Sequence, residues 1–161
     1  MAFVALGSNL GKSRQTVLAA MDRLQQFSDS PILRSSLWET EPVDCPPGSL
    51  RFINAVAGLA PRTGETPESL FKKLQNLEKE FGRKPKQILN EPRPLDLDLI
   101  AFGNEIRKTK ALVLPHPRAT QRQFVLQPLA EIAPELVLPN EQKTVAELLV
   151  DSPSGEVKKL S

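Results

Sequence analysis

With 161 residues, 40% hydrophobic and 25% charged, the chain has the length and composition of one globular domain that buries its own core. No apolar run approaches the roughly 20 residues of a membrane helix, and Phe3-Val4-Ala5-Leu6 lacks the basic flank and cleavage site of a signal peptide. The formal net charge of +2 supplies no broad cationic face for a nucleic-acid backbone, and one Cys and one His exclude an internal disulfide and argue against a structural zinc site.

In chain order, residues 2–6 read as a first strand. Gly7-Ser8-Asn9-Leu10-Gly11-Lys12-Ser13 follows and invites a phosphate-loop reading. That loop requires glycine at position 6, where Leu6 stands, so the segment reads as a strand-to-helix turn that borders a ligand at most. Val17, Leu18, Met21 and Leu24 then form one apolar helical face. Residues 32–40 and 52–60 read as the second and third strands. Within the third, Phe52 and Asn54 share a face. Singly they are a core and an edge residue; with a second aromatic they suit a flat heterocycle. A second helix follows, with Thr66 as cap, Pro67 in its first turn, Leu70, Phe71, Leu74, Leu77 and Phe81 at helical spacing, and Gly82 at its end. Residues 95–102 read as the fourth strand.

The order β-α-β-β-α-β predicts an α+β, ferredoxin-like sandwich, an antiparallel sheet with its two helices on one face. Residues 117–150 form a C-terminal extension with short helices around 123–133 and 144–150. The whole chain, 1–161, is expected as one domain, its core ending near residue 150 and residues 152–161 forming a loose tail. The connections 41–51 and 82–94 are longer than packing requires and are candidate walls of a site.

Asp96 and Asp98 stand two apart in the fourth strand, so both carboxylates leave one face while Leu95, Leu97 and Leu99 leave the other. Such a pair is either a solvated polar face or a holder of Mg²⁺. Arg93 and the basic run Arg83-Lys84-Pro85-Lys86 favour the second, because cations beside carboxylate-bound metal suit a phosphate chain. His116, with Arg118 and Arg122 close behind, is open between a structural role and a phosphate contact.

Five segments, taken together and in order, resemble the 6-hydroxymethyl-7,8-dihydropterin pyrophosphokinase family of folate biosynthesis. They are Ala5-Leu6-Gly7-Ser8-Asn9-Leu10-Gly11, Phe52-Ile53-Asn54-Ala55, Pro92-Arg93-Pro94-Leu95-Asp96-Leu97-Asp98-Leu99, Pro115-His116-Pro117-Arg118 through Phe124-Val125-Leu126, and Pro128-Leu129-Ala130-Glu131-Ile132-Ala133-Pro134. The resemblance implies transfer of pyrophosphate from ATP to the hydroxymethyl group of the pterin, leaving AMP. It implies that Asp96 and Asp98 hold two Mg²⁺ ions, and that Arg83 and Arg93 grip the phosphates and stabilise developing charge. Gln75, Glu78, Leu99, His116 and Arg122 would complete the ATP site. Phe52 and Phe124 would sandwich the pterin, with Asn54 on its polar edge and Thr40, Pro42 and Val43 as the remaining wall. The partners implied are ATP and the pterin, with neither nucleic acid nor membrane, for a monomer in the cytoplasm. A ferredoxin-like nucleic-acid module and a non-catalytic relative are the competing readings. The family commonly carries a basic residue, Trp and Gly where this chain has Leu89-Asn90-Glu91, and Asp44-Cys45-Pro46-Pro47-Gly48 also departs from its pattern.

Overall fold

A computed structural model describes residues 1–40, 51–82, 94–152 and 157–160. The strands are β1 (Ala2–Ser8), β2 (Leu33–Arg34), β3 (Trp38–Thr40), β4 (Phe52–Leu59), β5 (Asp96–Phe102), β6 (Arg107–Lys108), β7 (Val113–Leu114) and β8 (Val157–Lys159). The helices are α1 (Ser13–Leu24), α2 (Pro67–Glu80), α3 (Gln123–Ile132) and α4 (Val145–Asp151). The main sheet runs β5-β1-β4-β3-β8, with β2 also on β4, and all its pairings are antiparallel. This is an α+β architecture; β6 and β7 form a separate hairpin.

Alternation along the strands sorts side chains onto two faces. On one, Val4 and Leu6 of β1, Ile53, Ala55 and Ala57 of β4, and Leu97 and Leu99 of β5 pack with Val17, Met21 and Leu24 of α1 and Leu70, Leu74 and Leu77 of α2. On the other, Phe3, Val56, Ile100 and Ala101 pack with Val125, Leu126 and Leu129 of α3 and Val145 of α4. The expected pair of helices therefore shares one face, and the C-terminal extension covers part of the opposite one. Ile100 is an extra residue in β5: Phe3 pairs with Ala101 but Val4 with Leu99. That bulge turns both Ile100 and Ala101 toward the second core.

Local chemistry sets the helix boundaries. Thr66 caps α2 by accepting the Ser69 N–H at 3.1 Å, while the Ser69 hydroxyl accepts the Thr66 N–H at 2.9 Å. Gly82 ends that helix region with φ +94°, a conformation that suits glycine. Leu18, expected on the buried face of α1, is 44% exposed, and Ala20 takes its place in the core. Position 18 lies a further 100° around the helix from Val17, toward solvent.

Three boundaries differ from the sequence reading. β1 continues through Gly7 and Ser8 because both find partners on β4, Asn54 and Ile53. The expected strand 32–40 is divided into β2 and β3. Between them Ser35 stays tied to β4, its N–H donating to the Val56 carbonyl at 3.0 Å and its Oγ accepting the Val56 N–H at 2.9 Å. Residues 157–160, expected in a loose tail, are held instead: β8 pairs with β3, and the Leu160 N–H reaches the Leu37 carbonyl at 2.9 Å.

Candidate active site

One rung of the sheet carries most of the polar chemistry. Asp96 of β5 pairs with Gly7 of β1, Gly7 with Asn54 of β4, and Asn54 with Trp38 of β3. Adjacent strands lie about 4.8 Å apart, so two strand spacings place Asp96 and Asn54 about 10 Å apart along the rung. Asp98 occupies the next same-face rung, opposite Ala5, and both aspartates are partly exposed. Leu95, Leu97 and Leu99 are buried at 0%, 5% and 3% exposure. The carboxylates therefore leave the face opposite α1 and α2, on the side that carries α3.

Gly7 leaves the middle of the rung open. A Cβ there would lie 3.2 Å from Asn54 Oδ1 and 3.8 Å from Phe52 Cδ1. Asn54 is itself buried, and its Nδ2 donates to Thr40 Oγ1 at 2.9 Å, which fixes the amide plane and turns Oδ1 toward Gly7. Thr40 pairs with Phe52 and is buried beside it. Phe124, in the first turn of α3, packs against the second core, and the Arg122 guanidinium stacks over its ring at 5.4 Å.

The outer edge of β5 supplies a second set of groups. Glu78, three residues and nearly one turn beyond the exposed Gln75 on α2, is buried and accepts the Leu97 N–H at 2.8 Å. That N–H belongs to the residue between the two aspartates, so Glu78 supports the strand that presents them. Leu99, implied at the ATP site, has its side chain in the core with the helices, on the face that alternation assigns it. Leu97 and Leu99 have the same backbone phase, so Leu99 turns its main-chain N–H and C=O to the same open edge. Only that backbone can meet a ligand.

His116 reaches this edge because its N–H donates to the Ile100 carbonyl at 2.8 Å. Its Nδ1 accepts the Arg118 N–H at 3.2 Å, so the neutral ring carries its proton on Nε2. Burial holds the imidazole below its ordinary pKa, Arg122 and Arg118 push the same way, and Asp96 opposes them. The neutral ring is thus favoured among a basic pair and a carboxylate.

Pro42, Val43, Arg83 and Arg93 lie outside the described residues, as do the departures at 44–48 and 89–91. Of the others, Asp96, Asp98, Asn54, Phe52 and Thr40 stand on or next to the Asp96–Trp38 rung. Glu78 and His116 bond to β5, Arg122 lies near His116 and over Phe124 at the start of α3, and Gln75 is exposed on α2. Sequence reasoning missed the part of Gly7, because a glycine after a strand reads as a turn until its cross-strand partners are known. It also gave Glu131 no part, although the residue stands in a segment that carries the family resemblance.

Among the described residues no group of three or more His, Cys, Asp and Glu side chains gathers around one point. Two hard carboxylates on one strand nevertheless suit Mg²⁺, which takes one or two protein carboxylates and fills its remaining positions with water and phosphate oxygens.

Sheet, helices and sequence together define a transferase of the α+β class. The chain belongs to the 7,8-dihydro-6-hydroxymethylpterin-pyrophosphokinase family, whose family model matches residues 3–134. It is 36% identical over 159 residues to 2-amino-4-hydroxy-6-hydroxymethyldihydropteridine pyrophosphokinase of Pseudomonas aeruginosa, covering 98% of this chain and 95% of that one. The Haemophilus influenzae protein of the same name is 39% identical over 142 residues, covering 88% and 86%. Among solved structures, the wild-type HPPK-DHPS of Plasmodium falciparum with pteroate superposes at a TM-score of 0.68 with 14% identity. That match covers 93% of this chain and 42% of the longer one, and it shows the fold alone. Membership makes the chain an enzyme of folate biosynthesis that transfers pyrophosphate to a hydroxymethylpterin, in a family that uses ATP as co-substrate.

Proposed function

We propose that the chain binds ATP along the β5 edge and 6-hydroxymethyl-7,8-dihydropterin over β4. The hydroxymethyl oxygen attacks the β-phosphorus in line and gives up its proton to solvent. The bond from that phosphorus to the oxygen it shares with the α-phosphate breaks, AMP leaves with that oxygen, and the pterin diphosphate forms. The observation that carries this reading is the shared rung, which sets a carboxylate for phosphate chemistry and an amide for a heterocycle on either side of a side-chain-free glycine.

Each residue has a defined part. Asp96 and Asp98 would hold two Mg²⁺ ions, whose charge would offset that of the phosphate oxygens and make the hydroxyl easier to deprotonate. Phe52 and Phe124 stack on the two faces of the pterin, and Asn54 Oδ1 accepts an N–H from its edge. Thr40 keeps that amide oriented, and Pro42 and Val43 complete the wall. The Leu99 main chain binds the nucleotide base, beside Gln75 and Glu78. His116 Nε2 donates to phosphate, and Arg122 adds charge there. Arg83 and Arg93 grip the phosphate chain and offset the charge that develops during transfer. No covalent intermediate is needed, since positioning and preorganised charge lower the barrier.

The strand order β5-β1-β4-β3 with α1 and α2 on one face supports a ferredoxin-like sandwich, with the C-terminal helices as an addition. No helix among the described residues is long and apolar enough to cross a membrane. We read the enzyme as a monomer of the cytoplasm acting on small molecules rather than nucleic acid, the last supported by a formal net charge of only +2. The test is to incubate protein, ATP, Mg²⁺ and the pterin and to separate the nucleotides. AMP in step with pterin diphosphate is expected. ADP, or no nucleotide product from folded protein, refutes the reading.

A further inference from the structure

The segment Pro128–Pro134 has no part in the proposed chemistry, yet its Glu131 ties together the two walls of the pterin site. The carboxylate stands on α3, seven residues after Phe124, so the two occupy the same helical face about two turns apart. Glu131 Oε1 accepts the Ser36 N–H at 2.8 Å, and Oε2 accepts the Ser36 hydroxyl at 2.5 Å. Oε1 also accepts the Trp38 Nε1–H at 3.3 Å, and Lys159 Nζ of β8 lies 3.3 Å from Oε2. Every partner belongs to β3, its approach or its edge neighbour. Trp38 pairs with Asn54, and two residues on, Thr40 holds the Asn54 amide. One carboxylate thus joins the helix that carries Phe124 to the strand that orients Asn54.

We propose that Glu131 is a positioning residue that sets the gap between the Phe124 wall and the β3–β4 wall, and so the affinity for the pterin ring. This rests on the reading of Phe52, Asn54 and Phe124 as the pterin site. A planar ring held between two aromatic faces tolerates little error in their separation, because dispersion falls off within about 1 Å of contact. The ATP groups on β5 lie across β1 and β4 from this tie, and of the residues assigned to ATP only Arg122, stacked on Phe124, shares the helix it holds. Loss of the carboxylate should therefore act chiefly on the pterin, with the ATP site touched through Arg122 alone.

The measurement is KM for each substrate, with kcat, in the whole protein. Glu131→Ala is expected to raise the pterin KM about tenfold, equivalent to ~1.4 kcal/mol, while the ATP KM stays within about twofold. Glu131→Gln, whose amide oxygen still accepts from Ser36, should recover part of that loss. Trp38 is the chain's one tryptophan, so its emission should shift in Glu131→Ala before any ligand is added. In a Phe124→Ala background the further effect of Glu131→Ala should fall below about twofold, since the wall that it positions is gone. Should Glu131→Ala not fold, Ser36→Ala removes one of the carboxylate's contacts, the hydroxyl on Oε2, and keeps the backbone N–H on Oε1, and a selective pterin effect of about threefold is expected.

Unchanged pterin KM, a parallel rise in both KM values, or full additivity with Phe124→Ala overturns the inference. If Phe124→Ala itself leaves the pterin KM unchanged, the pterin site has been misplaced and the inference falls with it. A large Phe124→Ala effect beside a silent Glu131→Ala refutes the positioning role alone.

Discussion

At Gly7 the absence of one methyl group keeps the centre of the rung open. Its φ is not in the left-handed region, so alanine is compatible with the backbone and only the side-chain space is at stake. Gly7→Ala would set a methyl 3.2 Å from Asn54 Oδ1 and push the amide out of plane. Pterin affinity should drop about tenfold, the scale of one lost hydrogen bond to a buried group, while the protein remains folded. Equilibrium titration with pterin checks this, and unchanged affinity would place the ring away from Gly7. Asp98→Ala should abolish AMP formation by at least about a thousandfold, as expected when a group that preorganises transition-state charge is lost. The unfolding midpoint should move little, because the carboxylate sits on a partly exposed face. A rate within a factor of ten of wild type would move the phosphate site elsewhere. The aspartate pair was legible from alternation, since a period of two assigns faces without any tertiary knowledge. Gly7 and Glu131 were not, because their significance arises from neighbours 47 and 95 residues away, Asn54 and Ser36.

At the scale of elements, β5 shows how a sheet edge is made to carry function. An unpaired edge leaves its N–H and C=O groups open; here Glu78 closes one of them at Leu97, and the bulge at Ile100 redirects the strand beyond the aspartates. Glu78→Ala strands a buried N–H and should cost about 1–3 kcal/mol in denaturant unfolding, with kcat reduced because the strand between the carboxylates loses its support. Glu78→Gln retains an acceptor oxygen and should preserve most of the stability. If both variants unfold alike, the negative charge rather than the Leu97 bond is what matters at this position. The long elements were readable because their apolar periods are sustained: α2 and β4 begin within a residue of expectation. The short ones were not. β2 and β3 are separated at Ser35, whose N–H donates to the Val56 carbonyl and whose hydroxyl accepts the Val56 N–H, bonds that no propensity registers. β6, β7 and β8 span two or three residues each, too few to show a period, and exist through their pairing partners.

Over the whole molecule, the depressed groups predict how stability follows pH. His116 is held below its ordinary 6.5 by burial and by Arg122 and Arg118. Near neutral pH it is uncharged in both folded and unfolded chains, and its contribution is fully present. As pH falls below the unfolded value, the unfolded chain takes the proton first, and stability declines until the lower, folded value is reached. Burial raises the Glu131 carboxyl, but hydrogen bonds from Ser36, Trp38 and Lys159 outweigh it and hold the group below 4.5. That stabilisation is present above 4.5 and is lost as pH falls through the folded value. Glu68 beside Arg107 and Glu147 at the α4 cap shift the same way but are fully exposed, where solvent and salt screen them. The nucleotide-free protein should therefore lose stability in two acid steps, one beginning near pH 6.5 and one below 4.5. His116→Asn should flatten the first step and Glu131→Gln the second, and the second should persist in high salt because its donors are held hydrogen bonds rather than distant charges. Thermal unfolding midpoints from pH 8 to pH 3.5 decide it: a wild-type midpoint that stays level or rises between pH 7.5 and 5.5 would mean that the imidazole is not held neutral, and that the cations around it are balanced by Asp96.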